Sequence, residues 1–174
     1  MNKHFDIKKT ALLSLFLAFA VILSYIDALL SPSILPIAGA KLGLSNLAVL
    51  LTLSLFSLKE TVIVSHLRIL IVHLLLFPSI NGFLLSLCGA TLSILAMAFF
   101  KKLSFPLFST SILGSIAHNL GQVIAAVLLL KTPALFSCLI WLLPTGVFCG
   151  GVIGLLSELL TKRIKKTPYF KGRS

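Results

Sequence analysis

Long apolar runs, broken at prolines and at short basic segments, dominate the chain. A membrane-crossing helix takes about 20 residues. Six runs of that order can be drawn: about Thr10 to Leu30, Ile37 to Leu58, Glu60 to Phe77, Ser79 to Phe100, Phe108 to Leu130, and Ala134 to Thr161. Pro32, Pro36, Pro78, Pro106 and Pro133 fall at the joints, where helices stop or start. Pro144 lies inside the long sixth run and predicts a kink or an unwound turn there. The first run follows a short basic stretch with no small-residue cleavage site after it, and reads as an uncleaved first helix. The pattern predicts an all-α polytopic membrane protein: one membrane domain over residues 1–174, folded as a compact bundle of six transmembrane helices.

Composition sharpens this reading. Of 174 residues, 58% are hydrophobic and 11% charged. Soluble domains carry roughly 25% charged residues, so a water-soluble globular fold is excluded. Six spans leave no room for a second, soluble domain. Net charge is +11, from 15 Lys and Arg against Asp6, Asp27, Glu60 and Glu158. In a soluble chain such an excess would point to nucleic acid. Here the basic residues sit between apolar runs, which marks membrane topology instead, and no nucleic-acid partner is expected. With the N-terminus inside, 12 basic residues fall on the inner side (Lys3, Lys8, Lys9, Lys59, Lys101, Lys102, Lys162, Arg163, Lys165, Lys166, Lys171 and Arg173), and two, Lys41 and Lys131, on the outer. That asymmetry predicts both termini in the cytoplasm of a bacterial cell, with the protein in the inner membrane.

Polar side chains inside the spans are the natural site candidates, because each is costly in lipid. Arg68 lies nearest the middle of its span, with no acid at matching depth: Asp27 falls near the outer end of the first span, Glu158 near the inner end of the sixth. Such an arginine either bonds carbonyls or awaits an anionic ligand. His66 and His73 share one helical face, and Arg68 points away from them. The two rings are about 10 Å apart along the axis, too far to chelate one metal. The fifth span holds Ser111, Gly114, Ser115, His118, Asn119, Gly121 and Gln122. His118 and Gln122 stack on one face, and the cluster reads either as a ligand-facing wall or as interhelical glue. Lys41-Leu-Gly-Leu-Ser-Asn46 opens the second span, where Gly39 and Gly43 loosen the helix start. Lys41 there either meets a ligand or snorkels, and Asn46 either reaches inward or packs. The candidate substrate-binding residues are therefore Lys41, Asn46, Arg68, His118, Asn119 and Gln122, opening to the outer side. Gly146, Gly150 and Gly154 in the sixth span, and Gly82, Ser86 and Ala90 in the fourth, space small residues for close helix packing.

Several chemistries are missing. The chain has no GxxxxGK[ST] loop, no HExxH and no aspartate-rich metal motif. Its four scattered acids make an autonomous enzyme unexpected, and no metal or cofactor is expected. Cys88, Cys138 and Cys149 lie in apolar runs without paired spacing, so no disulfide framework is implied. No inverted repeat marks a stand-alone transporter. A small binding subunit that borrows energy from another protein remains.

The motifs Lys41-Leu-Gly-Leu-Ser-Asn46, Arg68-Ile-Leu and Ala117-His-Asn-Leu-Gly-Gln122 resemble the Gx transporter family, often labelled heptaprenyl diphosphate synthase component I. The resemblance runs from about Leu12 to Leu160. It implies likeness to the substrate-binding (S) components of energy-coupling factor transporters, six-helix bundles driven by a separate transmembrane protein and two ATPases. Such components dock through small residues on the first helix, commonly alanine-xxx-alanine. The nearest match in this chain is Ser14-xxx-Ala18. The expected ligand is a small, vitamin-like polar or anionic molecule. The synthase label offers the alternative of a non-catalytic membrane companion to a polyprenyl diphosphate synthase, and a non-transport membrane scaffold is the third reading.

Overall fold

The computed structural model of the chain describes residues 7–34, 43–76 and 78–171. Among them every regular element is helical: α1 (Ile7–Ile34), α2 (Leu44–Leu55), α3 (Leu58–Ile71), α4 (Ile80–Lys102), α5 (Leu107–Leu130), α6 (Leu139–Ile164) and a final turn, α7 (Pro168–Lys171). A π-helical turn, Val72–Leu76, extends α3, and a 3₁₀ stretch, Pro133–Cys138, leads into α6. Local chemistry sets the boundaries. Ser57 and Glu60 form a capping box at the start of α3, with the Ser57 N–H donating to Glu60 Oε2 at 3.1 Å. Ser79 Oγ accepts from the Gly82 N–H and starts α4. Lys131, in the left-handed conformation, ends α5.

Four helical segments are long and apolar enough to cross a bilayer: Ile7–Ser31, Ile80–Lys102, Leu107–Leu130 and Pro133–Ile164. The second and third runs differ from the spans drawn on the sequence. Helix α2 has 12 residues, about 18 Å of rise, well short of a hydrocarbon core of about 30 Å. Its described part begins only at Leu44, so the predicted start at Ile37 lies outside the described residues. Helix α2 runs through the middle of the bundle, with Leu47, Ala48, Val49, Leu50, Leu51 and Leu53 all buried. A helix walled in by protein is apolar all round, and its length need not match the lipid. In the sixth run, of the kink or unwound turn expected at Pro144, the unwound turn is absent, since α6 passes through Pro144 as helix; a 3₁₀ stretch at Pro133–Cys138 precedes it.

Helix α2 packs on α4 through Val49, Leu50 and Leu53 against Ile94 and Met97, and on α1 and α6 through Leu47 and Leu51 against Phe16 and Ile153. Helices α4, α5 and α6 form a tightly joined row, whereas α3 meets α4 more loosely. Backbone-close approach explains the tight row. A Cβ at Gly150 would sit 2.7 Å from Ser115 Oγ and 3.0 Å from Ile112 Cα, and one at Gly154 would sit 2.9 Å from Phe108 Cα. The α6 glycines therefore face α5 within the molecule. Across the other seam, Gly121 approaches the backbone of Cys88 and Gly89. The outer surface carries Leu15, Leu74, Ile80, Leu128, Trp141, Phe148 and Leu159, all well exposed. A continuous apolar exterior of this kind is untenable in water and places the protein in a membrane. At the end of the bundle where α1 begins, Lys9 pairs with Glu60, Lys101 Nζ donates to the Leu53 carbonyl, and Phe16, Phe56 and Phe170 stack edge to face.

Candidate functional site

Toward the opposite end, α1 to α6 enclose a cavity of about 180 Å³. Its wall includes Ser24 and Asp27 from α1, Ser45 and Asn46 from α2, Arg68, Val72 and His73 from α3 and its π turn, Ser86 from α4, Ser115, His118 and Asn119 from α5, and Gly146 and Cys149 from α6. Of the residues singled out on the sequence, Asn46, Arg68, His118 and Asn119 are brought together here. Lys41 lies outside the described residues. Gln122 is not part of the wall. It stands one turn beyond His118, and its shaft packs into the notch at Gly89, where a Cβ would come 2.7 Å from Gln122 Cγ. The α5 cluster thus divides between the two roles considered for it. Ser115, His118 and Asn119 face the cavity, while Ser111, Gly114, Gly121 and Gln122 fit α5 against its neighbours.

Arg68 is only 6% exposed. One terminal nitrogen, Nη1, donates to Ser24 Oγ at 3.3 Å, while Nε has no partner among the described residues. A guanidinium offers five N–H donors in a rigid fork suited to carboxylate and phosphate. Burying one with donors unspent costs free energy unless something accepts from them. Asp27 shares the cavity, itself 4% exposed, and is close enough to attract the guanidinium electrostatically. The ion pairs among the described residues are Lys9–Glu60 and Lys162–Glu158, so Asp27 and Arg68 do not close to a direct salt bridge. The carboxylate is instead held locally. Ser31 Oγ donates to Oδ1 at 2.6 Å and the Gly43 N–H to Oδ2 at 3.2 Å. Gly43 has φ +74°, a conformation other residues adopt only with strain, and this turn aims its N–H at Asp27. The site is charge-balanced but uneven in hydrogen bonding: its acceptor is satisfied and its strongest donor is not. That asymmetry suits an acceptor-rich partner.

Asn119 crosses to α6, where Nδ2 donates to the Leu142 carbonyl at 2.6 Å. Gly146 makes the crossing possible, because a Cβ there would lie 2.7 Å from Nδ2. The bond leaves Asn119 Oδ1 as an acceptor toward the cavity side. His73 is not among the residues singled out for the site on the sequence. It keeps the helical face expected of it beside His66, the two rings reaching Ser86 and Thr91 of α4, while Arg68 bonds Ser24 of α1. The cavity nevertheless extends far enough round α3 and its π turn for His73 and Arg68 both to line it. Asp27 was the other residue that sequence reasoning did not place in the site. Its signal was present, as an ionisable group inside a span, but depth counting set it near the membrane surface.

Among the described residues no group of His, Cys, Asp or Glu is arranged to hold a metal ion. An all-helical membrane protein with a polar, arginine-bearing cavity among its helices has the geometry in which small-molecule sites are usually found. Residues 16–160 match the family described as heptaprenyl diphosphate synthase component I, and the chain belongs to that family. No curated protein and no solved structure matches it. The sequence holds no aspartate-rich diphosphate motif.

Proposed function

We propose that the protein is the substrate-binding membrane subunit of an uptake system in the bacterial cytoplasmic membrane. It captures a small polar or anionic molecule from the outer side, and a separate transmembrane protein with ATPases supplies the energy. One observation carries the reading: a buried arginine with unspent donors faces a cavity that also holds Asn46, His118 and Asn119. The charged side chains buried among the described residues, Asp27 and Arg68, both lie in this one enclosed place, and the polar side chains buried elsewhere are serines and threonines. The orientation follows from charge. Lys8, Lys9, Lys59, Lys101, Lys102, Lys162 and Arg163 gather at the end away from the cavity, which makes that end cytoplasmic. All six helices α1 to α6 then pass through the membrane region, with α2 and α3 relying on protein rather than lipid along part of their length. Ser14 and Ala18 are exposed on α1 and leave a small-residue face for an energy-coupling partner.

Mass spectrometry of small molecules that co-purify with the protein in mild detergent tests this reading. A specific ligand should be present in the wild type and lost in Arg68→Ala. A cavity empty of any small molecule in repeated preparations, with no binding in a ligand screen, would overturn it. The family's description favours one other reading, a non-catalytic membrane companion of a polyprenyl diphosphate synthase. Chain-elongating activity that depends on adding this subunit would establish that companion role instead.

A further inference from the structure

The cavity is too small for the ligands such sites usually hold. Its volume is about 180 Å³, against the roughly 300–1,000 Å³ of typical small-molecule pockets. A second, open groove of about 770 Å³ lies directly beside it, between the end of α3 and the start of α4. Leu70, Leu74, Ile80 and Phe83 give this groove an apolar wall, and Leu74 and Ile80 are 65% and 80% exposed on the lipid-facing surface. His73 lines both spaces. Its Nδ1 donates to the Ile69 carbonyl at 3.0 Å, which leaves Nε2 as an acceptor. Nε2 reaches Ser86 Oγ only at the long distance of 3.4 Å. Phe83 meets the ring edge to face, and Gly82 offers it no side chain: a Cβ there would stand 3.3 Å from Nε2. Among the described residues His73, carried on the π turn, is thus the side chain that borders both cavity and groove.

We infer that the ligand is an amphiphile, with an oxyanion head held at Arg68 and an apolar chain that passes His73 into the groove between α3 and α4. This rests on the reading of the cavity as a ligand site and adds the ligand's class. Arg68 supplies the buried fork that a carboxylate or phosphate accepts bidentately. The groove supplies the length that the cavity lacks, and its open side lets an apolar chain arrive from the bilayer. A wholly polar ligand would have to fit within the cavity alone.

The test uses the full-length protein in nanodiscs of zwitterionic lipid, with acetate, decanoate, ethyl phosphate and decyl phosphate as probes. The short and the long probe of at least one head group should both bind, which also tells a carboxylate head from a phosphate. Arg68→Ala should weaken both by about tenfold or more, as expected for a lost buried partner. His73→Trp, which overfills the passage, should weaken the long probe by about tenfold more than it weakens the short one. His73→Ala should retain the long probe and guards against reading a folding defect as a blocked passage. Short probes bound with long ones excluded from the wild type would overturn the amphiphile while leaving the site intact. Equal loss of short and long probes in both His73 variants would also overturn it, because His73 would then contact only the head. Failure of every probe, with Arg68→Ala indistinguishable from wild type, would overturn the site and the amphiphile together.

Discussion

A single buried guanidinium decides most of what can be tested at the level of residues. Replacing Arg68 with alanine should weaken ligand binding by about 1–3 kcal/mol, the cost of one lost partner for a buried polar group. Arg68→Lys keeps the charge but not the planar fork, and should recover only part of that loss. Isothermal titration with the co-purifying ligand reads both effects, and wild-type affinity in Arg68→Ala would remove the arginine from the site. Gln122 makes the contrasting case. Its shaft fills the notch at Gly89, away from the cavity wall, so Gln122→Ala should lower the melting temperature slightly and leave ligand affinity unchanged. A clear loss of affinity would mean that Gln122 reaches the ligand after all. Asn46, Arg68, His118 and Asn119 were legible as site candidates because polarity inside an apolar run is conspicuous. Asp27 and His73 were not, for different reasons. A sequence gives position along each helix but not the tilt or offset between helices, so the meeting of Asp27 with Arg68 is invisible to depth counting. His73 lies on the face of α3 turned from Arg68, and a cavity that reaches both faces cannot be read from one helix alone.

Between elements, the decisive feature is how near two backbones come. Gly150 and Gly151 are neighbours on α6 with opposite surroundings. A methyl at Gly150 would collide with Ser115 and with the α5 backbone at Ile112, while one at Gly151 would make ordinary contact with Phe108 at 3.6 Å. Alanine favours a helix over glycine by roughly 0.5–1 kcal/mol. Overpacking costs about 1–3 kcal/mol. Gly150→Ala should therefore lower the melting temperature in detergent, and Gly151→Ala should hold or raise it; equal behaviour of the two would disprove the close α5–α6 seam. Gly43 sets a different limit, since a side chain at φ +74° costs roughly 1–2 kcal/mol. Gly43→Ala should weaken the N–H bond to Asp27 and lower both stability and ligand affinity, read by thermal melts and titration. The long helices were evident from hydropathy. Helix α2 was drawn too long, because an apolar run reads the same whether it faces lipid or protein.

For the whole molecule, the distribution of charge makes the firmest expectation. Cysteines added at each terminus of a chain lacking Cys88, Cys138 and Cys149 should react with a membrane-impermeant reagent only after the cells are opened. Labelling of either end in intact cells would break the six-span arrangement. The two ends of the bundle are also built differently. One is tied by Lys9 to Glu60, by Lys101 to the Leu53 carbonyl and by stacked phenylalanines. The other holds the cavity and the Gly43 turn beside it. Membrane class and helical architecture were open to inference from composition and pattern alone, because lipid imposes both. The cavity's shape was not, because it depends on how six helices lean together, and that is settled by packing rather than by any one segment.

The two charges in the cavity also bear on how the protein is made. Asp27 and Arg68 are 41 positions apart, so at synthesis rates of about 5–20 residues per second the acid emerges roughly 2–8 s before its counter-charge exists. A lone charged group costs up to about 2.5–3.5 kcal/mol at the centre of a membrane helix on insertion scales, and less toward the end, where Asp27 lies. Helix α1 carries an immediate remedy, because Ser31, one turn further on, already donates to Asp27. The Gly43 N–H arrives next and Arg68 last, so the nascent chain compensates the acid in stages, and the cavity is completed only when α3 joins α1.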